Sequence, residues 1–294
     1  SHDDPGWLKT ADQYFYGSNN TIYEASIQYM FDTVVQQLDD DPSKSWLLVE
    51  MSFFQRWYAE QTPKVQKKVK EFVKNGQMTF ANGGWVMHDE ASSHYVSQVD
   101  QTTLGHRFIK EEFNVAPRVG WQIDPFGHSS TAQVFFSEFG FDSLFFGRIN
   151  YDELDLKKKT QELEFVWDSS QSLQNTYLLT GVFSDGNYGP PPGICFDRLC
   201  GTNIDPVMDD ERLTDFNADA YADLLIAGID QEASYSKGDH IMLKMGSDFH
   251  YSNARQWMKN LDKLIPRVME KRPDLNLFYS SPEQYTLARA EENI

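Results

Sequence analysis

Three carboxylates and one imidazole stand where this chain could do chemistry. His2 and Asp4 are two residues apart in "SHDDPGW". In an extended segment, side chains at that spacing project to the same side, so an imidazole and a carboxylate can share a cation. The same spacing is common at ordinary surfaces, and both readings are open. Asp124 lies in "GWQIDPFGHS". Pro125 withholds a backbone donor and turns the chain there, while Trp121 and Phe126 offer aromatic walls. The plainer reading is that Asp124 caps a helix beginning near Ser129. His128 reads as a ligand or as a packing residue at the helix start. Asp248 in "GSDFHY" has Phe249 and Tyr251 beside it; burial among such rings raises a carboxyl pKa, the condition for a general acid. Arg148 in "FFGRINY" either pairs with Asp124, keeping it ionised and oriented, or anchors a surface carboxylate.

Two carboxylates in different environments, walled by aromatic rings, describe a glycosidase site. Trp7 and Phe126 would then stack on the apolar face of a sugar ring. A neutral substrate also suits the charge: with 44 Asp and Glu against 26 Lys and Arg, the formal net charge is −18. Such a surface repels nucleic acid and anionic membranes, so neither is expected as a partner. Nor does any run of eighteen apolar residues suggest a membrane span. Cys195 and Cys200 in "CFDRLC" are spaced too widely for a usual metal pair. They read as a short local disulfide, which implies an oxidising compartment, or as two free thiols. Asn19 opens an "NNT" glycosylation sequon, a triplet that also arises by chance.

The elements that must position these groups alternate. Buried-strand runs are expected at 45–50, 78–84, 118–123, 143–149, 240–246 and 275–280, with a hairpin or excursion over 163–182. "TPKVQKKVKEFVKNG" has full helix punctuation: Thr62 to cap, Pro63 in the first turn, one face of Val65, Val69, Phe72 and Val73, and Asn75-Gly76 to stop. Further helices are expected over 100–113, 211–235 and 253–269. Apolar rather than alternating strands between helices predict an α/β fold of about seven mostly parallel strands with helices on both faces, as one domain over 1–285. Glu50, "NGGW" at 82–85, Asp124, Arg148 and "SDF" at 247–249 all follow strand runs. Ligand sites of parallel sheets gather at that carboxyl edge.

Eight stretches in chain order resemble glycoside hydrolase family 38, the retaining α-mannosidases, and its lysosomal branch in particular. They are "HDDPGWLKT", "DQYFYG", "VEMSFFQRW", "ANGGWVMHDEASSHY", "DQTTLGHRF", "GWQIDPFGHS", "FFGRINY" and "MGSDF", covering nearly the whole chain. The resemblance implies an irregular β/α barrel-like catalytic domain that hydrolyses terminal α-D-mannosyl residues of N-glycan oligosaccharides in the lysosome or elsewhere along the secretory pathway. It makes His2, Asp4 and Asp124 ligands of one Zn2+, Asp124 also the nucleophile, and Asp248 the general acid/base. Trp7, Phe126, Arg148 and Tyr188 match the substrate site, and Cys195 with Cys200 matches a short disulfide of the lysosomal members. Physically, the zinc would chelate the 2- and 3-hydroxyls and favour ring distortion. Asp124 would attack the anomeric carbon while Asp248 protonates the leaving oxygen.

Two departures accompany the match. The family's fourth zinc ligand, a histidine, finds no matching motif here, because His88, His94, His106, His240 and His250 align elsewhere. The family's first strand is also missing ahead of His2. Both suggest the N-terminal catalytic part of a longer enzyme, with 286–294 opening a following helical domain and the remainder of the same enzyme as its partner. A metal-dependent polysaccharide deacetylase is the competing enzyme reading, although its helical H-x-x-x-H does not occur in this chain. A non-catalytic carbohydrate-binding fragment is the reading without catalysis.

Overall fold

Residues 1–91, 94–201 and 204–292 are described by the computed structural model. Helices α1 (Ala11–Tyr16) and α2 (Ile27–Asp40) lead to strand β1 (Trp46–Leu48), followed by α3 (Met51–Glu60), α4 (Pro63–Asn75) and β2 (Met78–Phe80). Next come α5 (Tyr95–Phe113), β3 (Val119–Gln122), α6 (Ser130–Glu138), β4 (Ser143–Phe146) and α7 (Tyr151–Thr160). The hairpin β5 (Glu164–Asp168) and β6 (Tyr177–Val182) precedes α8 (Ala218–Tyr235), α9 (Ala254–Lys271) and α10 (Pro282–Glu291). The chain divides into two compact units, each assembled from separate stretches. The first comprises Ser1–Ser45, Gly189–Gln231 and Leu243–Ser280; the second comprises Trp46–Tyr188, Glu232–Met242 and Ser281–Ile294.

In the second unit β1 pairs with β2 in parallel, and a four-stranded sheet runs β3-β4-β6-β5, parallel except for the antiparallel β5–β6 hairpin. The run "SLFF" of β4 shows why three successive residues of its strand are apolar. Leu144 and Phe146 enter one core with Ala132 and Phe136 of α6 and Leu154 of α7. Phe145 enters another with Val119, Trp121, Phe183 and Tyr188, against which Tyr285 of α10 packs. Successive residues of a strand face opposite ways, so a sheet covered on both sides favours apolar residues on both faces. Helix α4 obeys its punctuation: the Thr62 hydroxyl accepts from the Val65 N–H, Pro63 opens the first turn, and Gly76 stops it at φ 83°. Helix α10 continues past residue 285, with Arg289 buried and paired to Glu164.

The first unit is helical. Ile27, Met30, Phe31, Val34 and Leu38 of α2 are buried, as are Trp257, Met258, Leu261, Leu264 and Val268 of α9, the helix against which α2 packs. About seven strands are expected from the sequence, and the described residues form six, in two sheets. Segments 240–246 and 275–280 carry none. Residues 275–280 alternate between half-buried and exposed, which is the strand pattern without a ladder. Apolar composition prepares a segment for pairing, but a neighbour must supply the hydrogen bonds. Following 240–246, the chain makes one isolated parallel bridge, Asp248 with His2.

Candidate active site

Register brings the first group of residues together. Gln122 of β3 lies opposite Phe146 of β4. Asp124 and Arg148 each sit two residues beyond those partners, so they leave adjacent strands at the same height. The Arg148 Nη2 donates to Asp124 Oδ1 at 2.8 Å, and the Tyr188 hydroxyl donates to the same oxygen at 3.2 Å. The guanidinium also stands 5.8 Å from the centre of the Tyr188 ring. Burial by itself would lower the Arg148 pKa, but the Asp124 charge and the Tyr188 hydroxyl outweigh it and hold the group above its ordinary value. Arg148 therefore remains cationic beside an oriented carboxylate.

A buried polar network fixes this loop from below. Asn82, left-handed at φ 51°, takes the place of a neighbouring strand: its side chain donates to Trp121 O and accepts from Trp121 N, both at 2.6 Å. Gly83 has φ 71°, and a Cβ there would meet Pro117 and Ile109 within 3 Å, so the "NGG" turn admits only glycine at that position. The wholly buried Gln122 donates to Glu90 Oε1 at 3.0 Å and to His88 O at 2.9 Å. Glu90 Oε2 accepts from the Ser129 N–H at 2.5 Å. His128 lies between Glu90 Oε1 at 3.3 Å and Arg148 O at 3.1 Å, with its ring stacked on Phe146 at 3.9 Å. The alternative reading of Asp124 as the helix cap does not hold: Ser129 caps α6 through its own hydroxyl. His128 packs at the helix start. The supporting hydrogen bonds of Glu90, Gln122 and Asn82 were not foreseen from the sequence, although both "NGGW" and "HDE" lie in stretches quoted above.

The second group lies in the first unit. His2 N donates to Ser247 O at 3.3 Å and His2 O accepts from Phe249 N at 2.9 Å, which sets Asp248 beside the opening turn. His2 is buried, and its Nε2 stands 3.3 Å from Asp4 Oδ1. Zinc bonds to nitrogen and oxygen of about 2.0–2.2 Å in a tetrahedron separate two ligand atoms by roughly 3.3–3.5 Å. The imidazole and carboxylate are thus spaced as two ligands of one such ion, and their N/O donor chemistry suits it. Lys9 secures the turn, with its Nζ donating to Ser18 O at 2.8 Å and lying 5.0 Å from the centre of the Tyr14 ring. Tyr14 stacks on Phe249 at 4.4 Å. Tyr23, unremarked in the sequence, meets Phe249 at 5.3 Å and Trp7 at 5.6 Å, edge to face. Burial raises the Tyr23 phenol pKa first, and the charge of Asp248 adds to it.

The two expected sugar platforms are open to solvent: Trp7 is 54% exposed and Phe126 79%. Cys195 and Cys200 are joined as a disulfide. Asn19 is exposed at a left-handed turn, φ 52°. No helix among the described residues is long and apolar enough to cross a membrane.

Within the first unit, the structure brings together His2, Asp4, Asp248 and the ring cluster that includes Trp7; within the second, Asp124, Arg148 and Tyr188, with Phe126 two residues beyond Asp124. The chemistry on offer is an oriented carboxylate beside a guanidinium in one group. The other pairs an N/O donor set with a second carboxylate.

The profile of the glycosyl hydrolases family 38 N-terminal domain matches residues 1–293. The chain is 44% identical to lysosomal alpha-mannosidase of Cavia porcellus over 97% of this chain and 29% of that protein. It is 43% identical to alpha-mannosidase of Canavalia ensiformis over 100% of this chain and 30% of that one. The chain thus spans about three tenths of these relatives' length. Among solved structures, an alpha-mannosidase from Enterococcus faecalis superposes with a TM-score of 0.69 over 99% of this chain and 28% of that one. At 16% identity, that likeness speaks to the fold.

Proposed function

Because the chain belongs to glycosyl hydrolase family 38, we propose that it is the N-terminal catalytic part of a zinc-dependent retaining α-mannosidase acting on terminal α-D-mannosyl residues of N-glycan oligosaccharides. The observation that carries this reading is the Asp124 carboxylate addressed on one oxygen by both Arg148 and Tyr188. A nucleophile needs to be ionised and aimed, and this pair of donors does both.

In this reading His2, Asp4 and Asp124 hold the zinc, as their motifs and the His2–Asp4 spacing support. A zinc held there would supply Lewis-acid orientation of the sugar's hydroxyls. Trp7 and Phe126 stack on the apolar face of the sugar. Asp124 attacks the anomeric carbon, and the electron pair of the broken glycosidic bond leaves with the aglycone oxygen. Asp248 delivers the proton that oxygen needs. Asp248 then takes a proton from water, whose oxygen displaces Asp124 and releases mannose with its original configuration. Arg148 keeps Asp124 charged in the free enzyme and retains its position as the charge is consumed. The disulfide and the exposed Asn19 sequon support an oxidising, secretory or lysosomal setting.

The test is made on the natural full-length protein: hydrolysis of a chromogenic α-mannoside, with zinc content measured in parallel. The reading expects about one zinc per chain, lost in His2→Ala and Asp4→Ala together with turnover, and α-mannose as the first product. A deacetylase would instead release acetate from an acetylated glycan. A binding module would hold the sugar and release neither product, and either result sinks the proposal.

A further inference from the structure

The strongest uncommitted feature is a buried carboxylate inside the disulfide ring. Asp197 lies between Cys195 and Cys200 and is 7% exposed. Its Oδ1 accepts from the Leu199 N–H at 3.1 Å and starts the short 3-10 turn Arg198–Cys200. Its other oxygen, Oδ2, reaches out of the ring and accepts from the Tyr251 N–H at 2.7 Å, 54 residues away. Both oxygens are thereby committed to backbone, one inside the ring and one on the loop that follows Asp248.

That loop needs holding. Phe249 and Tyr251 both adopt left-handed φ, 57° and 71°, a conformation that bulky aromatic residues rarely take and that persists only where the surroundings impose it. Phe249 is held by its N–H on His2 O at 2.9 Å and by the stacked Tyr14 ring. Tyr251 is held at its hydroxyl by Met245 O at 2.5 Å, at its ring by Trp257 at 5.3 Å, and at its N–H by Asp197. Asp248 sits at the head of this turn. The Asp197 charge, together with that of Asp248, also acts on the Tyr23 phenol, so both carboxylates address one neighbourhood.

We propose that Asp197, clamped by the Cys195–Cys200 ring, is the positioning residue of Asp248, acting through the Tyr251 N–H. It touches no reacting atom. Its carboxylate fixes the left-handed turn, and the turn fixes the direction in which Asp248 presents its proton. The disulfide takes part by keeping the Asp197 backbone in place, so this function rests on the reading of Asp248 as general acid.

Leaving-group dependence tests it in the natural full-length protein, because proton donation matters for a poor leaving group and hardly for an activated one. The measured quantity is kcat/KM, which reports the glycosylation step, for 2,4-dinitrophenyl and methyl α-mannosides. Asp248→Asn is the reference and should lose far more on the methyl than on the dinitrophenyl glycoside. Asp197→Ala should show the same pattern more weakly, roughly tenfold or more on methyl and within about threefold on dinitrophenyl, in keeping with the 10²–10⁴-fold worth of general acid catalysis. Asp197→Asn retains shape and one acceptor oxygen. It should fold as wild type and fall between, with the same dependence. Equal losses of Asp197→Asn on both substrates, or none, overturn the proposal while Asp248→Asn still behaves as an acid variant. If Asp248→Asn itself shows no leaving-group dependence, the fault lies in the assignment of the acid.

Discussion

Replacing Arg148 with methionine separates what the guanidinium does for the fold from what it does for Asp124. The Arg148 and Asp124 side chains are 41% and 35% exposed. After solvent screening, a pair so open is worth at most about 1 kcal/mol to stability, or roughly 2–4 °C in melting temperature for a chain of this size. Methionine keeps an unbranched side chain and removes the charge, the donors and the guanidinium's approach to the Tyr188 ring. Activity should respond on another scale. Losing a partner that orients and charges a ligand-nucleophile costs about 10- to 100-fold, so kcat/KM on an aryl α-mannoside should fall by that factor while the melting temperature moves little. Arg148→Lys should recover part of the loss, because a point charge can stand in for the Nη2–Oδ1 bond to Asp124 but not for the planar fork. Thermal melts and steady-state kinetics on the three proteins decide it. An Arg148→Met enzyme within twofold of wild type, or one whose loss tracks a melting drop of about 10 °C, refutes the reasoning.

Three further outcomes are expected. Glu90→Gln removes a buried charge-assisted acceptor from the Ser129 N–H and from the His128 ring, so urea unfolding should show a loss of about 1–3 kcal/mol. His88 is held near pKa 4, chiefly by burial. Its folded value lies below the ordinary 6.5, so its contribution is complete above pH 6.5 and is lost as pH falls toward 4. It amounts to about 3 kcal/mol at most, and His88→Gln should flatten that part of the urea-midpoint profile relative to wild type. Phe126→Ala deletes an exposed ring, so stability should change by less than about 0.5 kcal/mol. A lost stacking contact of about 1 kcal/mol should appear as a roughly fivefold rise in KM.

Local signals were legible where one residue suffices. The Thr62 cap, Pro63 and Gly76 delimit α4 where the sequence places them, and the three successive apolar residues Leu144, Phe145 and Phe146 of β4 report two buried faces. The motif residues at strand ends were legible too, since parallel register carries Asp124 and Arg148 to a common height. What failed depended on partners. Segments 240–246 and 275–280 have strand composition and form no ladder, because pairing is a property of two segments. Asp124 and Ser129 both suit a helix cap by residue type, and Ser129 takes it because α6 begins at Ser130. Glu90 and Asp197 look like ordinary acids in sequence. Their importance lies in N–H groups 39 and 54 residues away, a distance over which no spacing rule reaches.

The central claim is that Asp124 is the nucleophile of an α-mannosidase. It is tested most directly by trapping the covalent sugar: the natural full-length protein is incubated with an activated fluoro-mannoside whose release is slow, digested, and its peptides weighed. The account predicts one mannosyl adduct, on the peptide containing "QIDPFGH" and fragmenting to Asp124, absent in Asp124→Asn. An adduct on any other carboxylate, or turnover of the same reagent that gives inverted mannose and no adduct, would contradict it.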